Sequence, residues 1–165
     1  MVSTGREGSM STHFAEVLAR ESACLAGVTD GAKLADWRRR VVQELMTPLS
    51  PYVFALRQTG DVPGRADFLD RWRELLAETV DRLLRSGTTG DTHSSGQTRR
   101  TDVDAQKTAL LILAALHGGS TLSQITKDPW PLNAALDLAL APFTATEDNS
   151  PARTGTSSPI GNMNT

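Results

Sequence analysis

The side chains with the greatest potential for nucleophilic or acid–base chemistry are three histidines and the serine that follows one of them. His117-Gly118-Gly119-Ser120 contains the His-Gly-Gly triplet of an esterase oxyanion loop. That triplet must lie in a loop and needs a Gly-x-Ser-x-Gly nucleophile motif, which occurs nowhere in the chain. His13 and His93 lie in or next to polar segments, and neither belongs to a recognised nucleophile–base motif. We therefore expect no catalytic residues and no enzymatic activity.

The sequence also lacks the residue patterns that bind metal ions or phosphate groups. Cys24 is the single cysteine, so it has no partner for a disulfide within the chain, and we expect it to pack as a small hydrophobic residue. There is no His-Glu-x-x-His, cysteine pair or Asp-rich calcium loop, which predicts no metal and no cofactor. The stretch from Gly27 to Lys33 has the wrong spacing for a P-loop.

The charge balance argues against direct binding of nucleic acid. The chain has 17 basic and 19 acidic residues, a net charge of −2, so it has no cationic excess to neutralise phosphates. The run Arg38-Arg39-Arg40 is the densest basic segment of the helical part. Because acidic residues balance the basic ones around it, a solvated helix face explains this run better than a phosphate site.

Aromatic residues cluster in the middle of the sequence. Trp37, Tyr52, Phe54, Phe68 and Trp72 make up five of the eight aromatic side chains. Large rings dominate burial in small helical domains, so core packing is one interpretation. The other is that some of them line a pocket between helices, where helical bundles hold apolar ligands.

The length and composition of the chain predict a single folded domain between polar ends. Residues 1–11 and 144–165 are rich in Ser, Thr, Gly and Pro, so we expect both to be disordered. Residues 12–143 would fold, with a mobile loop at 87–101. The longest apolar run, Ala109 to Leu116, is far shorter than the ~20 residues of a membrane span, and no signal peptide is evident. We expect a cytoplasmic protein without a membrane partner.

Hydrophobic periodicity predicts an all-α fold, a bundle of about five to six helices. Apolar residues recur every three or four positions from Phe14 to Val28, from Leu34 to Met46, and from Phe68 to Leu84. Acid–base pairs spaced i,i+4 on the last of these helices include Asp67/Arg71, Glu78/Arg82 and Asp81/Arg85.

Cap residues predict where two of the helices begin. Ser50 before Pro51 would cap a short helix, with Leu49 and Phe54 as a hydrophobic staple across its start. Thr101 would cap a later helix whose first turn contains Asp102 and Asp104.

The last two helices have more apolar surface than one core can bury. Every residue from Ala109 to Leu116 is apolar. From Leu132 to Phe143, the polar residues are Asn133 and Asp137, and Pro142 restricts the backbone near the end. Such surplus implies a partner on the far side. A second copy of the chain would contribute the same two helices and close a four-helix bundle.

Three segments carry a resemblance to a known family, namely Asp102 to Gln124, Lys127-Asp-Pro-Trp-Pro-Leu132, and Ala134 to Leu140. Together they resemble the end of TetR/AcrR-type transcriptional regulators. The helix from Phe68 to Gly87 resembles the one that precedes this end in the family, and with a weaker match over 14–58 the likeness covers most of residues 12–143. The resemblance implies an all-helical effector-binding domain that dimerises through its last two helices. It also implies a small, apolar effector and close helix approach across the two-fold at Gly118 and Gly119.

The resemblance gives a set of candidate site residues. For the effector they are Trp37, Val41, Tyr52, Phe54, Trp72, Leu76, Leu113 and His117. For the dimer interface they are Leu110, Ala114, Gly118, Gly119, Leu122, Leu132, Ala135, Leu136, Ala139 and Leu140.

The chain departs from the family at its start. A helix-turn-helix takes about 45–50 residues ahead of the effector domain in this family, whereas thirteen mostly polar residues precede Phe14. We therefore expect DNA binding only through a helix-turn-helix that this chain does not contain. The leading hypothesis is a ligand-sensing and dimerisation domain of a TetR-like repressor. The alternative is a stand-alone helical dimerisation or interaction module without an effector.

Overall fold

A computed structural model shows an all-α fold. It describes residues 4–57, 62–87 and 104–144, with side chains described from Thr12 onward except at Gly87. Within these ranges there are six helices and no strand, which confirms the predicted fold class. The helices are α1 (Thr4–Ala26), α2 (Gly31–Met46), α3 (Pro51–Arg57), α4 (Arg65–Gly87), α5 (Ala105–Thr126) and α6 (Trp130–Thr144).

The N-terminal helix is longer than the sequence pattern predicts. Residues 4–11, expected to be disordered, form the first two turns of α1. No proline interrupts this stretch, so the helix anchored by Phe14 and Val17 continues toward the N-terminus. The predicted mobile loop lies outside the described residues except at Gly87, and the predicted C-terminal tail lies outside them except at Thr144.

Side-chain caps fix the starts of four helices, and at α6 the Asp128 carboxylate accepts from Trp130 N–H. The Asp30 carboxylate accepts a hydrogen bond from the backbone N–H of Lys33 at the start of α2. The Ser50 hydroxyl accepts one from Tyr52 N–H, as its sequence position predicts. The α5 cap is Asp104, which accepts from Gln106 N–H, so the assignment of this cap to Thr101 is corrected. Asp104 is the residue with extended backbone directly before the first helical turn.

The expected hydrophobic staple before α3 is wrong. Leu49 is 82% exposed and has a left-handed backbone, with φ 72°. Its side chain consequently points away from the helix instead of packing on Phe54.

Arg82 of α4 has a different partner from the one its spacing predicts. Its Nη1 donates to the carbonyl oxygens of Leu25 and Val28, both at 2.9 Å. These carbonyls lie at the C-terminal end of α1, where backbone acceptors lack helical partners and the helix dipole favours a cation. Of the other expected pairs on α4, Asp81–Arg85 forms at 2.8 Å, whereas Arg71 pairs with Glu74.

The core lies where α4 and α5 meet the other helices. α5 packs most extensively on α6, α4 packs on α5 and α1, and α3 packs on α1. The core is apolar and includes Val17, Leu45, Trp72, Leu116 and Leu136, all fully buried or nearly so. Gly119 permits the α5–α6 contact, because a Cβ at this position would lie 2.9 Å from Leu132 Cα.

By length and composition alone, α5 could cross a membrane. Half of its apolar window is nevertheless buried within the fold, and core helices of soluble proteins have the same character.

Candidate functional site

One side of α5 is apolar but not covered by the chain itself. Leu110, Leu111, Leu122 and Ile125 are all more than half exposed, and Ala114 and Gly118 are exposed between them. Because these positions are separated by three or four residues, they form one stripe along the helix. No charged residue lies between Lys107 and Lys127. The exposed stripe of α5 therefore has apolar and neutral polar groups only.

The exposed stripe continues onto α6. Trp130 is 70% and Leu138 81% exposed. Ala135 faces α5, since its Cβ lies 3.4 Å from where a Gly119 Cβ would be, and Leu138 follows one turn later on that side. On α5, Leu122 likewise follows Gly119 by one turn, so each helix has an exposed leucine beside the α5–α6 contact. We name the set Leu110, Leu111, Leu122, Ile125, Trp130 and Leu138 the apolar face.

The structure divides the predicted interface residues into two groups. Leu110, Ala114, Gly118 and Leu122 are exposed on α5, and Ala135 is half-buried. The remaining five are buried in the chain's own core, namely Gly119, Leu132, Leu136, Ala139 and Leu140. The predicted α6 register is therefore corrected. Apart from Asn133, Asp137 and the terminal Thr144, α6 is apolar, and the side bearing Leu132 and Leu136 packs inward while Leu138 points outward.

Arg38 links the α6 helix to α2. Its Nη2 lies 2.8 Å from Asp137 Oδ1 and donates to the side-chain and backbone oxygens of Asn133 at 3.1 and 3.3 Å. Arg38 directly follows Trp37, a core residue of α2. The basic run is thus in part a tether between helices, and Arg39 pairs locally with Asp36.

A carboxylate lies in the apolar interior where four helices meet. Glu21 of α1 is 1% exposed. Its Oε2 accepts hydrogen bonds from the indole N–H groups of Trp37 at 3.0 Å and Trp72 at 3.1 Å, and its Oε1 accepts from the Tyr52 hydroxyl at 2.7 Å. These donors come from α2, α4 and α3 in turn. Glu21 therefore joins α1 to each of the next three helices by one hydrogen bond.

Burial and hydrogen bonding act in opposite directions on Glu21. Burial raises the pKa of Glu21, while the hydrogen bonds from Tyr52, Trp37 and Trp72 partly oppose that rise. Burial and the neighbouring carboxylate also raise the pKa of Tyr52, so its hydroxyl stays protonated and donates. An indole N–H can only donate, so the ionised carboxylate satisfies all three partners at once.

The structure brings together three of the predicted effector residues and separates the others. Trp37, Tyr52 and Trp72 surround Glu21, with Tyr52 and Trp72 in edge contact at 6.0 Å. His117 is exposed on α5. Phe54 is half-buried and stacks on His13. The remaining three, Val41, Leu76 and Leu113, are buried in the core.

The interior next to these rings is closely packed. A cavity lined by Trp37, Leu76 and Ile112 measures about 10 Å³. That is space for about one water molecule, whereas drug-sized ligands occupy pockets of roughly 300–1,000 Å³. Trp37, Tyr52 and Trp72 therefore belong to a closely packed core around the Glu21 carboxylate.

Sequence reasoning missed Glu21. Its position was nevertheless informative, because it lies seven residues after Phe14, four after Val17 and four before Leu25 on the buried stripe of α1. An acidic residue in the middle of an apolar stripe indicates a buried group that needs partners. The partners themselves, 16, 31 and 51 residues away, give no local signal.

Comparison with protein-family models, with curated proteins and with solved structures finds no match for this chain.

Proposed function

We propose that this chain is a ligand-sensing and dimerisation domain of a TetR-like transcriptional repressor, and that it forms a homodimer through the apolar face. The observation that carries the proposal is the exposed stripe of α5, which has no charged residue between Lys107 and Lys127, together with the exposed Trp130 and Leu138 of α6. The resemblance of residues 102–140 to the end of TetR/AcrR-type regulators supports the family assignment.

The energetics of the apolar face favour association. Full burial of one leucine or isoleucine side chain is worth roughly 1.5–3 kcal/mol, and four such side chains on α5 are more than half exposed. Monomers seldom leave contiguous apolar surface of this kind in water. A two-fold axis would place α5 and α6 of one subunit against the same helices of another, giving a four-helix bundle.

Regulation follows from the link between the core and this bundle. An effector that moved α2 would displace α6 through the Arg38–Asp137 contact, because the two helices are tied there. By family resemblance, a change in subunit arrangement would alter DNA binding by helix-turn-helix domains joined at the N-terminal side. The proposed setting is the cytoplasm, with a small hydrophobic compound as effector and DNA contacted only through those domains.

A second candidate is a dimerisation module that binds no effector. The packing around Trp37, Tyr52 and Trp72 favours it, since the adjoining cavity holds about one water molecule. The two candidates share the dimer and differ in whether a small molecule binds.

The dimer is tested by light scattering on the wild type and a Leu122→Glu/Leu138→Glu variant. The mass of one chain is 17.7 kDa, so we expect 2 × 17.7 = 35.4 kDa for the wild type and 17.7 kDa for the variant. Both leucines are more than half exposed, so the substitutions leave the monomer core intact. Leu49→Glu, at a leucine outside the apolar face, is the matched control and should stay dimeric. A monomeric wild type contradicts the proposal.

Ligand sensing is tested by melting temperature in the presence of varied hydrophobic compounds. A ligand that binds only the folded state stabilises it by RT ln(1 + [L]/Kd), so at least one compound should raise Tm. A dimer whose Tm no compound changes is the result expected of the module.

A further inference from the structure

A groove opens where the C-terminal ends of α2, α3 and α5 meet. It has a volume of about 190 Å³, much larger than the cavity beside Trp37. The α2–α3 segment provides Leu45, Met46, Thr47, Pro48, Val53 and Arg57, and the end of α5 provides Ser123, Gln124 and Lys127. We name it the helix-end groove. It is separate from the apolar face and from the Glu21 centre.

The polar side chains lining the groove are mostly engaged within the fold. Thr47 Oγ1 donates to Gln43 O, Gln124 Nε2 donates to Leu45 O, and the Ser123 hydroxyl accepts from Leu132 N–H. Leu45 and Val53 are buried at the base of the groove, so the apolar surface that a ligand can contact comes from the half-buried Met46 and the exposed Pro48.

The charge of the helix-end groove is purely positive. Arg57 and Lys127 are its two ionisable lining residues, and no acidic residue lines it. Both are exposed, and neither forms an ion pair within the described part of the chain. A cationic mouth next to an apolar floor matches a molecule with an anionic head and a hydrocarbon tail.

Two residues with left-handed backbone lie at the same place, and one of them, Lys127, is the cap that ends α5. Among the described residues, Leu49 and Lys127 are the non-glycine positions with positive φ, at 72° and 59°. Lys127 lines the groove, and Leu49 directly follows its lining residue Pro48. A leucine in this conformation is unfavourable, and such strain is concentrated at ligand clamps more often than elsewhere.

We infer that the helix-end groove binds a short-chain aliphatic monocarboxylate. At about 190 Å³ the groove is smaller than the roughly 300–1,000 Å³ pockets that hold drug-sized ligands. A short aliphatic tail therefore fits it, with the carboxylate at its mouth beside Arg57 and Lys127. The inference rests on the proposed ligand-sensing function and names the chemical class of its effector.

The test uses hexanoate as the probe and hexan-1-ol as its uncharged counterpart. Protein labelled with ¹³C at the methionine methyl groups has a reporter in the groove at Met46, whose signal is assigned with a Met46→Leu variant. Titration with hexanoate should shift the Met46 signal in a saturable way, and hexan-1-ol should bind at least several-fold more weakly. Equal affinity for the alcohol, or no shift with hexanoate, overturns the inference.

Charge variants locate the binding site. Arg57→Gln and Lys127→Gln should each weaken hexanoate binding by about 1.4- to fivefold, the value of an exposed ion pair of about 0.2–1 kcal/mol. Both side chains are exposed, so the fold should be retained. Arg39→Gln, which removes the same charge outside the groove, should leave the affinity unchanged. Equal weakening in all three variants would indicate non-specific attraction and overturn the assignment.

The outcomes separate this inference from the proposed function. Loss of hexanoate binding in a dimer whose Tm rises with other compounds refutes the helix-end groove alone. A monomeric wild type that binds hexanoate refutes the proposed dimer and leaves the groove in place.

Discussion

At the scale of single residues, Glu21 places a charge-bearing group in the core, where isolated charges are strongly disfavoured. Three donors from three helices compensate it. Removing the carboxylate would leave all three donors buried without an acceptor. Glu21 therefore contributes to stability mainly by accepting hydrogen bonds from these donors.

Glu21→Leu should therefore destabilise the protein by at least about 3 kcal/mol, since each unsatisfied buried donor costs about 1–3 kcal/mol. Glu21→Gln should lose less than half as much. Its carbonyl can accept from both indoles, and its amide can donate to the Tyr52 oxygen. Urea denaturation followed by circular dichroism gives both values. Glu16→Gln on the same helix, in an exposed pair with Arg20, is the control and should change stability by about 0.5 kcal/mol or less.

The same carboxyl group predicts a pH dependence. Burial raises the pKa of Glu21 in the folded state above its unfolded value of 4.5, so the folded protein holds this proton more tightly. Its contribution to stability is present below pH 4.5 and is lost as the pH rises through the folded-state pKa. The free energy of unfolding of the wild type minus that of Glu21→Gln should fall from pH 4 to pH 8. A difference that grows over this range would contradict the direction of the pKa change.

Glu21 also illustrates which residues sequence can and cannot predict. The sequence leaves the rings of Trp37, Tyr52 and Trp72 open between core packing and a pocket, and the structure places them together around one carboxylate. Their common partner was not found, since the hydrogen bonds join residues far apart in sequence and depend on how four helices pack.

At the scale of helices, Gly118 and Gly119 are neighbours in sequence with opposite surroundings. A Cβ on Gly119 would lie 2.9 Å from the Leu132 backbone, and a Cβ on Gly118 would meet nothing within 4 Å. Gly119 fixes the separation of α5 and α6 within one chain, which differs from its expected role at a contact between subunits.

Gly119→Ala should destabilise the protein by about 1–3 kcal/mol, because α5 and α6 must separate to admit the methyl group. Gly118→Ala should stabilise it by up to about 1 kcal/mol, the difference in helix propensity between alanine and glycine. Thermal unfolding of dilute protein compares the two, since Gly118 adjoins the apolar face. Effects of the same sign in both variants would refute the assigned packing.

Helix boundaries and helix orientation differ in how well sequence predicts them. Ser50 and Pro51 predict the start of α3 well, since a cap and a proline act through the local backbone. The orientation of α6 was assigned wrongly because apolar residues occupy nearly all its sides, and only its packing against α5 selects Leu132 and Leu136 for the interior.

At the scale of the whole molecule, periodicity sufficed to predict an all-helical fold, because apolar spacing is a property of each segment alone. Dimerisation stays a prediction. It rests on the apolar surface that one chain leaves exposed on α5 and α6. Sequence showed that the last two helices had excess apolar surface. The structure shows which residues make up that excess, with Leu138 in place of Leu136.

Association through the apolar face should make stability depend on concentration. Since dimerisation stabilises the folded state by mass action, Tm of the wild type should rise when protein concentration is increased a hundredfold. Tm of the Leu122→Glu/Leu138→Glu variant should stay constant. Differential scanning calorimetry measures both, and a wild-type Tm that does not change with concentration would contradict a reversible dimer.

The positions of the three tryptophans give the molecule two separate optical reporters. Trp37 and Trp72 are hidden from solvent and share one carboxylate oxygen, whereas Trp130 stands on the apolar face. A collisional quencher in the surrounding water therefore reaches one indole in the folded chain and all three once it unfolds. Fluorescence from Trp130 would report subunit contact, and fluorescence from the hidden pair would report melting of the core, without any added dye.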